Sequence, residues 1–323
     1  MKYNKEKIGD DVLERFREIA EELDIYLKEG VNSEKLAKLI SQRGSLTDVS
    51  YINESLGLWL NGSEQIGKEQ EAVLIMMYLD LYVEAMKGSK EETVNALNMF
   101  WLGTKEDPEL EYMSAYTEYC RKKFELNKRI SLIKPNSSFS EKKQFGMEVT
   151  NTYAKGVEFI GKIFSTLNIL AEVANQKNYN VYKIWRETIY QKIDRFNKIT
   201  NNKYVLFSQT INRKIRNGEA HLSLSVNIRK AIVEVKIVKK HKTIKEEIPW
   251  EDFIKIDFVK IGWMIQAFVY SQILFFQAME DKENYLTNMQ KLTSILSQKN
   301  NEGVSKRILV RGNFGTIKET KLR

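Results

Sequence analysis

The chain has 323 residues, 42% of them hydrophobic, which suffices for one or two folded domains and excludes disorder along its whole length. A single cysteine, Cys120, excludes an internal disulfide framework and is typical of a reducing compartment, so we expect a cytoplasmic protein. The formal net charge of +8 favours a polyanionic partner, namely RNA, DNA or an anionic membrane, without choosing among them. With one cysteine and two distant histidines, we expect no metal site and no cofactor.

Residues 1–140 are predicted to form an N-terminal region made only of helices. Apolar residues recur there at helical spacing, and the whole chain has only three prolines that would interrupt helices. The predicted helices cover 10–29, 33–42, 64–87, 91–102 and 109–130. The methionines and tyrosines of 64–87 fit a hydrophobic core better than a cofactor site.

A boundary is predicted at 134–140, where one proline, one asparagine and three serines lie close together. Ser138 and Glu141 have the spacing of a capping box, which predicts a helix from there to about residue 174. A second helix is predicted at about 180–199. A third is predicted to begin near 204, because Phe207, Ile211 and Ile215 form an apolar stripe with a period of four.

The third predicted helix leads into the segment Arg216-Asn217-Gly218-Glu219-Ala220-His221. Arginine can hold a phosphate through two parallel hydrogen bonds, and histidine can exchange protons near neutral pH. Five residues correspond to a helical rotation of about 500°, so the two side chains face one site only if the helix ends or bends between them. Gly218 permits such an ending. The alternative is a plain helix C-terminus, with glycine as stop signal and histidine complementing the helix dipole.

Two strands and a long helix are predicted after this motif. Residues 231–238 and 243–248 are rich in β-branched residues and flank a lysine-rich turn, which predicts a β-hairpin with His241 at its tip. There His241 is either simply solvated or in contact with RNA. Pro249 suits the first turn of a final helix.

That final helix contains 19 residues without a charge, 261–279, so it has the length of a membrane span. Three glutamines lie within it, at positions 266, 272 and 277. A buried helix of a bundle explains these polar residues better, and we expect no stable membrane insertion. The last 25 residues carry seven Lys/Arg and two Glu. This basic tail, 298–323, is either solvated or an arm that follows phosphates.

The motif and its surroundings resemble HEPN domains, whose signature is R-N-x-x-x-H. Arg216, Asn217 and His221 match that signature, and the resemblance covers roughly 143–297. It implies a mostly α fold, in which 141–297 form a HEPN-like four-helix bundle with the β-hairpin inserted between the third and fourth helices. The N-terminal all-helical region, 1–140, stands beside this bundle as a separate domain.

The resemblance also implies an activity, which is metal-independent cleavage of RNA by attack of a 2′-hydroxyl on the adjacent phosphorus. His221 would act as general base or acid, Arg216 would hold the phosphate, and Asn217 would orient the site. Two copies would form one composite site in a homodimer. Arg213 and Lys214 either extend the phosphate-binding surface or are ordinary exposed helix charges.

Within this family, such ribonucleases commonly act as toxins or antiphage effectors that a partner or trigger restrains. Residues 1–140 would be the region that receives such a signal. Family toxins that a nucleotidyltransferase antitoxin controls often carry a tyrosine two residues after the histidine. This chain has Ser223 at that position, which argues against that mode of control. The main alternative is an inactive HEPN-type scaffold or RNA-binding subunit. A DNA-binding regulator would follow only from the positive charge.

Overall fold

The computed structural model describes residues 34–62, 67–104, 106–212, 224–239 and 242–298. They form a mostly helical protein with one small antiparallel sheet. The predicted helix at 10–29, His241 and the tail from 299 onward lie outside the described residues. Before the linker at 134–138, the helices are α1 (Glu34–Ser41), α2 (Asp48–Asn61), α3 (Lys68–Gly88), α4 (Lys90–Leu102) and α5 (Met113–Ile130). Helix α2 was not predicted from the sequence.

Helix α6 (Phe139–Ala174) is the longest element, and it begins where the capping box predicted. The Ser138 side chain accepts a hydrogen bond from the Glu141 backbone N–H, and the Glu141 carboxylate accepts one from the Ser138 backbone. These reciprocal bonds satisfy two of the N–H groups that a helix start leaves without partners. At 1.5 Å per residue, the 36 residues of α6 span about 54 Å.

The next part of the chain differs from the prediction in two places. The single helix predicted at 180–199 is broken into α7 (Val181–Arg186) and α8 (Ile189–Ile199), because Thr188 and Gln191 form a second capping box that starts a new helix. The helix predicted to run from 204 into the motif ends early, as α9 (Val205–Ser208). Residues 209–212 form a turn and a bend, with the Ser208 and Thr210 hydroxyls donating to the carbonyls of Val205 and Phe207. Such bonds compete with helix continuation.

The predicted hairpin is confirmed as strands β2 (Ile232–Lys239) and β3 (Lys242–Pro249), which pair antiparallel from Ile232↔Pro249 to Lys239↔Lys242. A further strand, β1 (Leu224–Asn227), was not predicted and pairs with the other edge of β2. Val233, Val235 and Ile248 form the buried face of the sheet.

Strand β1 lies against α6 at Gly146, where a side-chain Cβ would come within 2.9 Å of Val226. The absence of a side chain at Gly146 therefore lets the strand approach the helix closely.

The C-terminal helices begin directly after the sheet. A short helix α10 (Trp250–Asp252) leads into a π-helical turn (Phe253–Phe258), and this continues as α11 (Val259–Glu280) and then α12 (Lys282–Gln298). Pro249 precedes the first turn as its N-cap residue, one position before the predicted helical position.

A chain of aromatic ring contacts, one stacked and three edge-to-face, joins helices from both sides of the 134–140 linker into one core. Tyr78 of α3 lies with its ring centroid 4.2 Å from that of Phe207 and 5.4 Å from that of Phe268. Phe100 of α4 contacts Phe268 and Phe159 of α6 at 4.7 and 5.7 Å. The core thus includes residues from both predicted domains, while the division at residue 140 stays a prediction.

Among the described residues, one helix, Trp250–Glu280, is long and apolar enough to cross a membrane, but most of its apolar window is buried against the rest of the protein. Two of its three glutamines bind polar partners on neighbouring helices, and the third, Gln266, donates to Tyr270 one turn along the same helix. Gln272 accepts a hydrogen bond of 2.7 Å from the Trp101 indole, and Gln277 donates to Asn53 at 2.6 Å. This arrangement is consistent with a soluble protein.

Candidate active site

The residues predicted to act on RNA lie together in one short segment. Arg213, Lys214, Arg216, Asn217 and His221 all fall within 213–223, which is outside the described residues. Their mutual geometry therefore stays a prediction. The structure does describe the residues that flank this segment on both sides, and the elements against which those residues pack.

The chain entering the segment is fixed against α11. Phe207 and Ile211 are buried, as the predicted apolar stripe requires. The Thr210 hydroxyl lies 2.8 Å from the Met264 sulfur, and the Asn212 side-chain amide donates to the Asp257 carboxylate at 2.8 Å. Asn212 is thus held by a charge-assisted hydrogen bond immediately before Arg213.

The chain leaving the segment is fixed against α6. Leu224 opens β1, whose four residues pair with β2 and pack beside Gly146. Before the segment, the Asn212 backbone lies beside Tyr153. Tyr153 follows Gly146 by seven residues along α6. Seven residues correspond to about 10 Å of helix. The described residues that flank 213–223 on both sides therefore lie beside the N-terminal half of α6.

A buried polar cluster lies where these anchors meet, formed by Tyr153, Asn212, Asp257 and Lys260. The side chains of Tyr153, Asp257 and Lys260 are all buried. The Tyr153 hydroxyl lies near the Asn212 backbone, although no described residue gives it a hydrogen bond of normal geometry. Polar groups buried in this way are costly unless they are paired, so such a cluster inside a hydrophobic core calls for an explanation.

Burial shifts the proton affinities of this cluster. It raises the pKa of Tyr153 well above its ordinary value, and the nearby Asp257 carboxylate raises it further. It also lowers the pKa of Lys260, while the attraction of Asp257 opposes that change. Tyr153 is therefore a neutral phenol at physiological pH. Ionisable groups with perturbed pKa values collect at functional sites more often than elsewhere, although structural networks perturb them too.

The backbone at this cluster is unusual as well. Asp257 lies in the π-helical turn Phe253–Phe258, whose wider hydrogen-bonding pattern is rare and is frequent at functional sites. The aromatic ring of Phe253 packs on Tyr153 with a centroid distance of 4.8 Å, which fixes the start of this turn against α6. The turn thus places the Asp257 carboxylate where it can hold the chain that enters the motif.

Sequence reasoning missed this cluster. Asp257 and Lys260 are three residues apart and are the last charges before the uncharged stretch 261–279. This position in the sequence could have indicated a buried pair of opposite charges. Tyr153 carried no such signal, because it is one more aromatic residue on the apolar face of a long helix. Only the fold brings it beside Asn212, which is 59 positions later in the sequence.

Comparison of the chain with protein-family models, with curated proteins and with solved structures found no match in any of the three. The resemblance to HEPN domains therefore depends on the residues of the motif and on the order of the elements around it.

Proposed function

We propose that the protein is a metal-independent endoribonuclease of the HEPN type. The observation that carries this proposal is the motif Arg216-Asn217-x-x-x-His221, which combines a phosphate-binding cation with a proton-transfer group. A mostly helical fold with an antiparallel hairpin before the last long helices is compatible with the expected arrangement. The formal net charge of +8 suits an RNA substrate.

The proposed reaction needs no group that the chain does not supply. A 2′-hydroxyl attacks the adjacent phosphorus, the 5′-oxygen of the next nucleotide leaves, and the products carry a cyclic phosphate and a 5′-hydroxyl. His221 removes or donates a proton in this step. Arg216 stabilises the charge that develops on the phosphoryl oxygens, and such electrostatic stabilisation is usually the largest catalytic contribution. Asn217 orients the site, and Arg213 and Lys214 extend the phosphate-binding surface.

The buried cluster gives the motif a defined starting point. Because the Asp257 carboxylate binds the Asn212 side chain at 2.8 Å, the last described residue before the motif is fixed against the π-helical turn that leads into α11. Catalytic groups must be held within a fraction of an ångström of their working geometry, so residues that act through their neighbours matter for rate. We assign Asp257 this positioning role, and Tyr153 and Lys260 complete its surroundings.

We further propose that the active form is a cytoplasmic homodimer in which both copies of the motif contribute to one site. By analogy with the family, the biological role would be that of a toxin or an antiphage effector, and 1–140 would receive the inhibitory partner or trigger. The alternative is an inactive scaffold or an RNA-binding subunit of a larger complex. The scaffold alternative can be distinguished from the ribonuclease by one observation, since substitution of Arg216 or His221 would leave the biological output of a scaffold intact.

Cleavage of a mixed RNA pool in EDTA tests the proposed activity. We expect the purified protein to produce cyclic-phosphate and 5′-hydroxyl ends, and we expect Arg216→Ala and His221→Ala each to reduce the rate by at least a hundredfold, since each removes a group used in the reaction. Product ends and rates would be measured in the same assay.

Two matched variants control for loss of charge and loss of imidazole. Arg229→Ala removes an exposed arginine of the β1–β2 turn whose guanidinium lies over the Phe139 ring, and His241→Ala removes the only other histidine. Both should retain cleavage. Cleavage that survives in Arg216→Ala and His221→Ala would contradict the proposal. Absence of cleavage by an intact wild-type dimer would favour the scaffold.

A further inference from the structure

Lys162 and Lys192, on the other side of α6, form no ion pair within the part of the chain that the structure describes. Lys192 of α8 is only 6% exposed, and no described residue makes a hydrogen bond or an ion pair with its ammonium group. The half-buried Lys162 of α6 is close enough for charge repulsion, which adds to burial in lowering the pKa of Lys192 to about 8. Burial also lowers the pKa of Lys162.

The acidic groups around these lysines attract them from a distance, but each of these carboxylates is bound to another residue. Glu187 binds the guanidinium of Arg195 through several hydrogen bonds, and Glu172 lies 3.5 Å from the same guanidinium. Glu158 pairs with Lys155 at 2.9 Å. Glu111 attracts Lys162 from a distance, and its carboxylate accepts a hydrogen bond from the Ser114 backbone. Two partly desolvated cations therefore share a place where a further negative group would relieve their repulsion.

The surroundings of Lys162 are aromatic. Its ammonium group lies 4.8 Å from the centroid of the Tyr112 ring. One turn further along α6, Ser165 and Thr166 line a small cavity, whose opposite walls include Tyr112 and Trp185. The cavity has room for about one water molecule, so any ligand larger than water would lie at its mouth instead of inside it.

Helix α7 contributes Trp185 to the cavity wall and carries a second exposed ring and two positive charges beside it. Tyr182 and Trp185 are 48% and 43% exposed, and their spacing of three places them on one face of the helix. Lys183 and Arg186 are exposed beside them, and no described residue forms an ion pair with either. Over 177–199 the chain carries six Lys/Arg and two Asp/Glu. Rings interleaved with cations are the composition that binds bases and phosphates together.

We propose that this surface is a nucleotide-binding site, in which Lys162 and Lys192 bind a phosphate and Trp185 and Tyr182 stack on a base. Free nucleotides and single-stranded RNA present the same chemistry. The proposal does not rest on the proposed nuclease activity, because none of its residues lies in 213–223. Lys162 follows Tyr153 by nine residues on α6, which corresponds to about two and a half turns, so the two side chains point in opposite directions. The nucleotide site is thus on the opposite side of the helix from the buried cluster.

The test measures binding of a 2′-O-methyl single-stranded RNA oligonucleotide, which cannot be cleaved by 2′-hydroxyl attack, to the full-length protein in EDTA. We expect Lys162→Gln/Lys192→Gln to weaken binding at least tenfold. It should also reduce the slope of log affinity against log salt by about 0.7, because the two lysines bind one phosphate and single strands contribute about 0.7 per neutralised phosphate. Trp185→Ala/Tyr182→Ala should weaken binding about tenfold or more without changing that slope.

A matched control lies on the same helix. Lys198→Gln removes an exposed α8 lysine that is paired with Asp194 at 2.8 Å, and it should leave both affinity and slope unchanged. Thermal unfolding checks the fold. The lysine double variant should melt no lower than the wild type, since it removes two repelling and partly desolvated charges. If that variant does not fold, the exposed-ring variant still tests the site.

The source of the nucleotide is decided by competition. If adenosine 5′-monophosphate displaces the oligonucleotide and raises the melting temperature only when both lysines are present, the ligand is a free nucleotide. If it competes poorly, the ligand is a strand. Unchanged oligonucleotide and mononucleotide binding in both double variants would overturn the proposal. A loss in Lys198→Gln equal to that of the lysine pair would overturn it too, because binding would then follow net charge alone.

Discussion

Glu71 is a single buried carboxyl that sets a pH dependence of stability. It lies in the first turn of α3, is 5% exposed, and accepts a hydrogen bond of 2.7 Å from the Trp59 indole. Burial raises the pKa of Glu71 to about 7, although the Trp59 hydrogen bond and the charges of Lys123 and Lys68 oppose the shift. The folded protein therefore favours the protonated acid up to nearly neutral pH.

The consequence for stability has a definite sign. Between about pH 4.5 and 7 the folded state binds more protons than the unfolded state at this residue, so its contribution to the free energy of unfolding falls as the pH rises. We expect Glu71→Gln to remove that dependence and to be more stable than the wild type at pH 8, by an amount on the order of 3 kcal/mol at most. Urea unfolding at pH 5 and pH 8 measures the difference.

Glu69→Gln, two residues earlier in the same turn, is the matched control and should show the pH dependence of the wild type. A wild type and a Glu71→Gln variant with parallel stability profiles between pH 5 and 8 would show that Glu71 is ionised at an ordinary pKa.

Candidate functional residues could be predicted from the sequence only where they lie close together along the chain. The spacing of Arg216, Asn217 and His221 carries its hypothesis without any fold. Asp257 and Lys260 differ from their surroundings only as the last charges before an uncharged stretch, and Tyr153 is ordinary in its local sequence. That the three meet depends on which helices pack together. The Lys162–Lys192 pair was missed for the same reason, since two lysines thirty positions apart in a chain rich in lysine give no signal.

At the scale of elements, the contact between α6 and α11 depends on a helical glycine. A Cβ at Gly156 would overlap the Ile261 side chain and come within 3.0 Å of the Tyr119 ring. We expect Gly156→Ala to reduce the free energy of unfolding by about 1–3 kcal/mol, because overpacking forces neighbours out of their preferred rotamers. Denaturant unfolding measures this loss.

Gly161 provides the comparison within the same helix. A Cβ there would meet the Ile189 side chain only at 3.6 Å, an ordinary contact. Gly161→Ala should therefore be neutral or stabilising by about 0.5–1 kcal/mol, since alanine favours a helix more than glycine does. Equal effects of the two substitutions would show that the α6–α11 contact is looser than described.

The elements themselves were predictable where local signals agree with packing. The Ser138 capping box located the start of α6, and β-branched alternation located β2 and β3. The third predicted helix is interrupted after Ser208, because Ile211 is buried by a turn and a bend at 209–212, and the remainder of that prediction lies outside the described residues. Strand β1 was missed since four residues are too few to show alternation, and its strand conformation comes from pairing with β2.

For the whole molecule, the proposed composite site makes a prediction about mixed dimers. If one site needs a histidine from each protomer, only dimers of two wild-type chains are active. When wild-type and His221→Ala chains are coexpressed in equal amounts, we expect about one quarter of the wild-type activity per dimer, because random pairing gives that fraction of wild-type homodimers. The cleavage rate would be measured on the purified mixture.

Independent sites would instead leave about one half of the activity, and that result would reject a shared site even if cleavage itself is established. Coexpression with His241→Ala chains should leave the rate unchanged, which checks that mixing alone does no harm.

The continuity of α6 has a consequence for which changes in chain length the protein can tolerate. Tyr153 and Lys162 lie on opposite sides of one unbroken helix, so their relative direction is fixed by the number of residues between them. One inserted or deleted residue would turn the lysine end by about 100° relative to the end beside Asn212 and β1, whereas the same change in the 134–138 linker would be absorbed locally. Lineages of this protein should therefore vary in linker length but keep the phase of α6 unaltered.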